Sequence, residues 1–237
     1  EPLRFEFISS FENAGFEGIA NNTYIDSNPI AGWTAKTDAL IKPGTTTLDF
    51  GGTNYTVPDT WKKVNYACGG DSALLASNSD LSTLETYVTN TDQNEGTNSL
   101  RLRSQGSISE GGRVAFGPLV FSDEFAAESG QTLFFDWRAN AGGDNYHVLS
   151  YIVKIDGSPS VSDWTEILDQ YGNSSTASTS WATQSVSIPS TGTYRFVFIS
   201  GTQDYTCAKG VGASLYIDNV QVVGSKADAT AVQTLTR

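Results

Sequence analysis

Residue types on which many enzyme sites depend are scarce in this chain. It has one histidine, two cysteines and no methionine among 237 residues. A single histidine limits Ser-His and Cys-His nucleophilic schemes to His147, and the chain contains no Gly-x-Ser-x-Gly, His-Glu-x-x-His or Gly-x-Gly-x-x-Gly motif. The sequence therefore favours a protein that is not an enzyme. Paired carboxylates for glycoside hydrolysis are the alternative, because 26 acidic residues permit many pairs.

Positive charge and long apolar runs are also lacking. Charged residues make up only 17% of the chain, and the formal net charge is −12. An acidic field repels phosphate backbones and anionic membrane surfaces, so we expect no nucleic acid or membrane partner. No run of 18 apolar residues exists, which predicts no membrane insertion. The acid excess suits either solubility or the binding of hard cations such as Ca²⁺.

Features of the termini and the cysteines favour an exported protein. The sequence starts at Glu1-Pro2 without methionine, as expected for a mature chain after signal-peptide removal or for an excised domain. Cys68 and Cys207 both lie in loop-like sequence. In an exported protein such a pair predicts one disulfide, although two unrelated thiols are the alternative. We expect a secreted or cell-surface location.

What the chain has in quantity is alternating strand sequence. Hydrophobic residues reach 38% and aromatic residues 11%, enough for a sizeable core. In 132–138, Leu133, Phe135 and Trp137 fall on one face, with Phe134, Asp136 and Arg138 on the other. Further strands are predicted at 3–8, 32–34, 48–50, 99–103, 112–116, 148–155, 164–168, 181–188, 192–199 and 215–223. This pattern predicts an all-β, two-sheet antiparallel jelly-roll sandwich.

The domain organisation predicted from this pattern is simple. Residues 1–223 form a single sandwich with a loop-rich insertion at about 15–97, and 224–237 form a polar linker or extended arm. Short helical turns are predicted at 82–88, where Ser82 and Glu85 form a possible capping box, and more weakly at 122–128.

Several segments resemble a known family of modules. They are Gly117-Pro118, 129–137, 141–146, 192–201 and 212–220, together with Ser10-Phe11-Glu12 followed by Gly32-Trp33. These look like carbohydrate-binding-module-like jelly-roll domains of large secreted bacterial RTX- and VCBS-type surface adhesins. The resemblance is good over about 98–223. It implies a structural Ca²⁺ between the first and last strands, with Glu12 and Asp218 as its carboxylates; the alternative is that both side chains only make hydrogen bonds.

Other residues are candidates for ligand binding. Asp136 and Arg138 suit sugar hydroxyls or a peptide terminus, or else an ion pair between neighbouring strands. Asp144 and Tyr146 follow a Gly-Gly loop and are either a ligand site or a solvated turn. Asp204 lies in a loop that is able to join the 142–147 loop at a rim site. Trp61, among charged neighbours, is the best candidate for an exposed aromatic.

Three functions are compatible with these observations. The first is a non-catalytic, calcium-stabilised extracellular adhesion module that binds glycan or peptide. The second is a structural subunit of a surface filament or layer, in which copies of the chain assemble by strand addition through a terminal arm. The third is a carbohydrate-active enzyme, for which no catalytic set is recognisable.

Overall fold

A computed structural model describes residues 14–26, 29–59, 81–107, 113–142, 144–172, 179–207 and 210–223. The predicted first strand at 3–8 and the predicted arm at 224–237 lie outside the described residues. No helix in the described part of the chain is long and apolar enough to span a membrane.

The described residues form thirteen strands and one 3-10 turn at Val161–Asp163. The strands are β1 (Trp33–Lys36), β2 (Thr47–Phe50), β3 (Thr53–Thr56), β4 (Leu81–Thr89), β5 (Ser99–Ser107), β6 (Val114–Ser122), β7 (Phe125–Ala127), β8 (Thr132–Ala141), β9 (Asn145–Lys154), β10 (Trp164–Gly172), β11 (Ala182–Ser187), β12 (Gly192–Gln203) and β13 (Gly210–Val223).

The strands pair into two antiparallel sheets and a hairpin. The back sheet has the order β1-β6-β12-β9-β10, with β7 also paired to β12. The front sheet has the order β11-β8-β13-β5-β4, and β2 pairs with β3. The predicted all-β jelly-roll sandwich is confirmed, including the short strands that the sequence predicted near Trp33 and Leu48.

The main core lies between the two sheets because apolar side chains alternate along the strands. Leu133, Phe135 and Trp137 of β8 point into it, as predicted. Facing them from the back sheet are Phe196 and Phe198, whose rings meet the Phe135 ring edge-on at centroid distances of 6.3 and 4.9 Å.

A second core covers the outer face of the back sheet. Leu48, Phe50, Tyr55 and Val57 of the β2–β3 region pack on outward side chains of the back sheet. Those outward side chains are Val114, Phe116, Leu119, Leu149, Tyr151, Val153, Val197 and Ile199. Part of the segment that the sequence assigns to an insertion therefore closes one of the two outer faces of the sandwich.

Both predicted helical turns are wrong. Residues 82–88 lie in β4, which pairs with β5, and Phe125–Ala127 form β7, which pairs with β12. Pairing with a neighbouring strand lets alternate residues form backbone hydrogen bonds along the whole segment. One capping box, by contrast, contributes only about 1 kcal/mol. Tertiary pairing therefore outweighs the local signal.

Candidate ligand-binding face

A row of tyrosine and arginine side chains crosses the outer face of the front sheet. Tyr216 of β13 is the Cα partner of Arg138 in β8 and of Arg101 in β5. Arg101 is the partner of Tyr87 in β4, and Tyr87 forms a bridge with Tyr24. We call these five residues, Arg138, Tyr216, Arg101, Tyr87 and Tyr24, the tyrosine–arginine row.

The row faces away from the core because its neighbours along each strand face inward. Leu100 and Leu102 flank Arg101, while Leu215 and Ile217 flank Tyr216, and all four apolar residues are fully buried in the main core. In a pleated strand the alternate residues then point to the opposite face. The antiparallel register aligns the outward residues across the strands.

Arg101 sits at the centre of the row between two rings. Its guanidinium carbon lies 5.6 Å from the ring centroid of Tyr87 and 5.2 Å from that of Tyr216, within the range of cation–π attraction. Arg101 Nη1 donates to the Tyr87 hydroxyl at 2.7 Å. Its Nε and Nη2 donate to Ser214 Oγ at 3.1 and 3.0 Å. These contacts fix the orientation of the guanidinium plane.

The two ends of the row are also held in place. At one end the rings of Tyr24 and Tyr87 lie 5.0 Å apart. At the other end, Asp92 Oδ1 accepts a hydrogen bond from Arg138 Nη1 at 2.6 Å and one from Trp181 Nε1 at 3.2 Å. The Trp181 ring lies edge-on to Tyr216 at 6.4 Å. The aromatic and guanidinium groups thus extend across four strands of the front sheet, from Tyr24 beside β4 to Trp181 just before β11.

Two rings of the row are buried, since Tyr87 and Tyr216 are only 6% and 4% exposed. Tyr24, Arg101, Arg138 and Trp181 are half-buried. Burial raises the pKa of Tyr216, against the opposing effect of Arg101, and burial with the charge of Glu85 raises the pKa of Tyr24. Both phenols therefore stay protonated at neutral pH and can donate as well as accept hydrogen bonds.

Asp136 and Arg138 lie on the same face of the sheet but contact different residues. Asp136 is buried, and its Oδ1 accepts from the Thr183 hydroxyl at 2.5 Å. Its Oδ2 accepts from the side-chain amides of Asn94 and Asn219 at 2.8 and 3.1 Å. Asp136 therefore stabilises the fold locally, whereas Arg138 belongs to the row.

Asp218 lies opposite Asp136 and is also buried. Its oxygens accept hydrogen bonds from the backbone N–H groups of Asn94, Glu95 and Asn219 at 2.9, 3.0 and 2.8 Å. Burial raises the pKa of Asp218, and the nearby Asp136 carboxylate raises it further, against the opposing effect of these three hydrogen bonds.

The described surroundings of Asp218 supply hydrogen-bond donors and no set of oxygen ligands. Three N–H groups face Asp218, whereas Ca²⁺ takes six to eight oxygen ligands. Within the described ranges, no group of three or more His, Cys, Asp or Glu side chains is placed to hold a metal ion. Glu12, the other predicted ligand, lies outside the described residues. The calcium site stays a prediction.

A second polar cluster lies at one end of the back sheet. His147 Nε2 and Asp169 Oδ1 are 2.9 Å apart, and both side chains are buried. Gln203, the Cα partner of Asn145, is fully buried, and neither atom of its side-chain amide has a hydrogen-bond partner among the described residues. Beside this cluster, Tyr171 is 45% exposed and its ring lies 6.1 Å from that of His147.

The 142–147 and 203–207 segments are in contact, while the rim ligand site predicted there stays a prediction. Asp144 Oδ2 accepts hydrogen bonds from the backbone N–H and the hydroxyl of Thr206 at 2.7 and 2.9 Å. Asp204 is buried beside it, and its N–H donates to the Arg113 carbonyl at 3.0 Å. Tyr146, by contrast, lies in the main core, so its ring contributes to packing and not to an exposed site.

Two other predicted groups cannot be placed. Trp61 lies outside the described residues. Cys68 also does, so its pairing with Cys207 stays a prediction.

Sequence reasoning missed four of the five residues in the row. Arg101 lies in a predicted strand, at an outward position of the alternating 99–103 sequence. Tyr87 was hidden by the helical interpretation of 82–88, and Tyr24 lies in a short bridge with no strand pattern. The available signal was the placement of Arg101 and Tyr216 between buried leucine and isoleucine residues.

Comparison with known proteins gives limited similarity. No protein-family model and no curated protein matches the chain. A solved structure described as CBM4 is 14% identical, covers 90% of this chain and 99% of its own, and has a TM-score of 0.38. The C-terminal family 22 carbohydrate-binding module of Clostridium thermocellum Xyn10B is 15% identical over 60% of this chain and 83% of its own, with a TM-score of 0.33.

An enzyme structure is also similar. An arabinose-bound GH51 α-L-arabinofuranosidase is 10% identical over 92% of this chain but only 26% of its own, with a TM-score of 0.40. All these TM-scores are low, so the fold and the proposals below rest on the geometry described above.

Proposed function

We propose that this chain is a non-catalytic glycan-binding module whose ligand lies on the tyrosine–arginine row. The observation that carries the proposal is the alignment of aromatic rings and guanidinium groups across the strands of the front sheet. Aromatic faces pack on the apolar faces of sugar rings, and oriented guanidinium and hydroxyl groups bind sugar hydroxyls.

The ion pairs and hydrogen bonds of the carboxylates on this face support a binding role over catalysis. Glu85 pairs with Arg103 at 3.3 Å, and Asp92 pairs with Arg138 at 2.6 Å. The Asp136–Asp218 pair is buried and accepts six hydrogen bonds, three from Asn94 and Glu95 and three from Thr183 and Asn219. A glycosidase needs two carboxyl groups that reach the scissile bond. The described carboxylates of this face are committed to other contacts.

At a finer level, we propose that the module acts outside the cell as part of a surface adhesin. The low charge content and the sequence resemblance support this setting. Calcium stabilisation through Glu12 and Asp218, and filament assembly through a terminal arm, remain separate hypotheses about the same chain.

A glycan array followed by titration calorimetry tests the binding proposal. The array should contain neutral and acidic oligosaccharides, and the best probe on it should then be titrated into the Tyr24→Ala variant. We expect affinity to fall about tenfold, since loss of one aromatic contact costs about 1 kcal/mol or more.

Tyr171→Ala is the matched control. Tyr171 is an exposed tyrosine of the back sheet, and its loss should leave binding unchanged. A loss of binding in Tyr171→Ala with full binding in Tyr24→Ala would move the site to the back sheet. Absence of binding to every glycan on the array would contradict the proposed function.

A further inference from the structure

Arg101 differs from the other two arginines on this face in its charge balance. Arg138 is neutralised by Asp92, and Arg103 by Glu85. The hydrogen bonds of Arg101 go to the hydroxyls of Tyr87 and Ser214. Within the described residues, no carboxylate forms an ion pair with Arg101. In the described part of the chain it is therefore a cation without an ion-pair partner at the centre of the row, although the net charge of the chain is −12.

The hydrogen-bond pattern of Arg101 leaves a defined pair of donors. A guanidinium carries five N–H groups, one on Nε and two on each terminal nitrogen. Nε, Nη1 and Nη2 each make one hydrogen bond to a protein hydroxyl. One N–H on Nη1 and one on Nη2 therefore remain. One donor on each of two neighbouring nitrogens provides one N–H for each oxygen of a carboxylate.

The surroundings of Arg101 strengthen this match. The group is half-buried and lies between the rings of Tyr87 and Tyr216, which fix its plane and exclude part of its hydration. The attraction between opposite charges is stronger when one of them is partly desolvated than when both are fully hydrated. Because Arg101 is already oriented, a ligand carboxylate would bind with little further loss of side-chain freedom.

We infer that the ligand of the row is an acidic glycan, in which the carboxylate of a uronic-acid-type sugar binds the two free donors of Arg101 while neighbouring sugar rings pack on the half-buried rings of Tyr24 and Trp181. This inference rests on the proposed function and adds the chemical class of the ligand.

A pair of matched oligosaccharides tests the inference. The probes are a uronic-acid oligosaccharide that binds on the array and its carboxyl-reduced neutral counterpart, each titrated by calorimetry at two salt concentrations. We expect the wild-type protein to prefer the acidic probe at least tenfold, with the preference weakening in high salt. Arg101→Lys keeps the charge but loses the planar fork, and we expect it to bring the preference to near one.

Arg195→Lys is the matched control. Arg195 also lies between two rings, those of Phe50 and Phe121, but on the back sheet, where it contacts Glu124 at 3.8 Å. Its replacement should leave the preference intact, and thermal unfolding of each variant confirms folding. Equal wild-type affinity for the two probes, or an unchanged preference in Arg101→Lys, overturns the inference and leaves the proposed function standing. Binding to no glycan on the array contradicts both.

Discussion

Glu17 shows how one exposed carboxylate orders a loop distant in the chain. Its Oε1 accepts hydrogen bonds from the backbone N–H groups of Thr97 and Asn98 at 2.9 and 3.1 Å, and its Oε2 accepts from the Thr97 hydroxyl at 2.7 Å. Partial burial on its own raises the pKa of Glu17, but these hydrogen bonds together lower it below its ordinary value. The stabilisation is therefore present above the unfolded-state pKa, near 4.3, and is lost as the pH falls through the folded-state pKa.

Replacement of Glu17 by glutamine should reveal this pH dependence. We expect Glu17→Gln to lower the free energy of unfolding by about 1 kcal/mol at neutral pH, a modest value because the group is exposed. The difference from wild type should shrink as the pH falls below about 4. Urea denaturation between pH 3 and pH 7 measures it. Glu128→Gln, an exposed glutamate, should show no comparable effect, and a Glu17→Gln deficit independent of pH would contradict the explanation.

At the scale of elements, β4 shows where local signals fail. The possible capping box at Ser82 and Glu85 predicted a helix, but Glu85 instead pairs with Arg103 of the neighbouring strand. Thr86 and Val88 are fully buried, while Tyr87 lies on the outer face. The same residues satisfy a helical or a strand pattern when only a few turns are considered. The partner strand β5, which follows in the chain, decides between them.

The β2–β3 hairpin allows a test of the second core. Leu48 of β2 is only 3% exposed, on the side of the hairpin that faces the back sheet. We therefore expect Leu48→Ala to lower the free energy of unfolding by about 3 kcal/mol. Asn54→Ala, at an exposed position of the same hairpin, should change it by less than about 0.5 kcal/mol. Chemical denaturation of both variants measures the difference. Equal small effects would mean that the hairpin does not cover a packed core in solution.

At the scale of the whole molecule, the segment at 14–26 joins distant parts of the chain. The Ala14 carbonyl accepts a hydrogen bond from the N–H of Val220 in the last strand at 3.0 Å. Glu17 holds the loop at Thr97, and Tyr24 completes the row beside Tyr87. The sequence resemblance implied that the start of the chain meets the final strand. This contact brings residue 14 there, while the strand predicted at 3–8 lies outside the described residues.

The predicted disulfide acts at the same scale. If Cys68 and Cys207 are bonded, the crosslink closes a loop of more than half the chain, and the chain-entropy model gives about 4–5 kcal/mol of stabilisation. We expect the double variant Cys68→Ser, Cys207→Ser to lose about that much in free energy of unfolding, as measured by urea denaturation. Unfolded wild-type protein without reductant should show no free thiol by colorimetric titration. Two titratable thiols would contradict the crosslink.

Much of the sandwich follows from the sequence alone, because alternation between core and surface repeats every two residues and is visible locally. This alternation is enough to assign Leu133, Phe135 and Trp137 to the core and Arg138 to the outer face. The arrangement of the tyrosine–arginine row could not be predicted from this alternation. The alignment of Arg101 with Tyr216, and of Tyr24 with Tyr87, depends on the register between segments that are far apart in the chain. Hydrogen bonding between these segments sets that register only when the molecule folds.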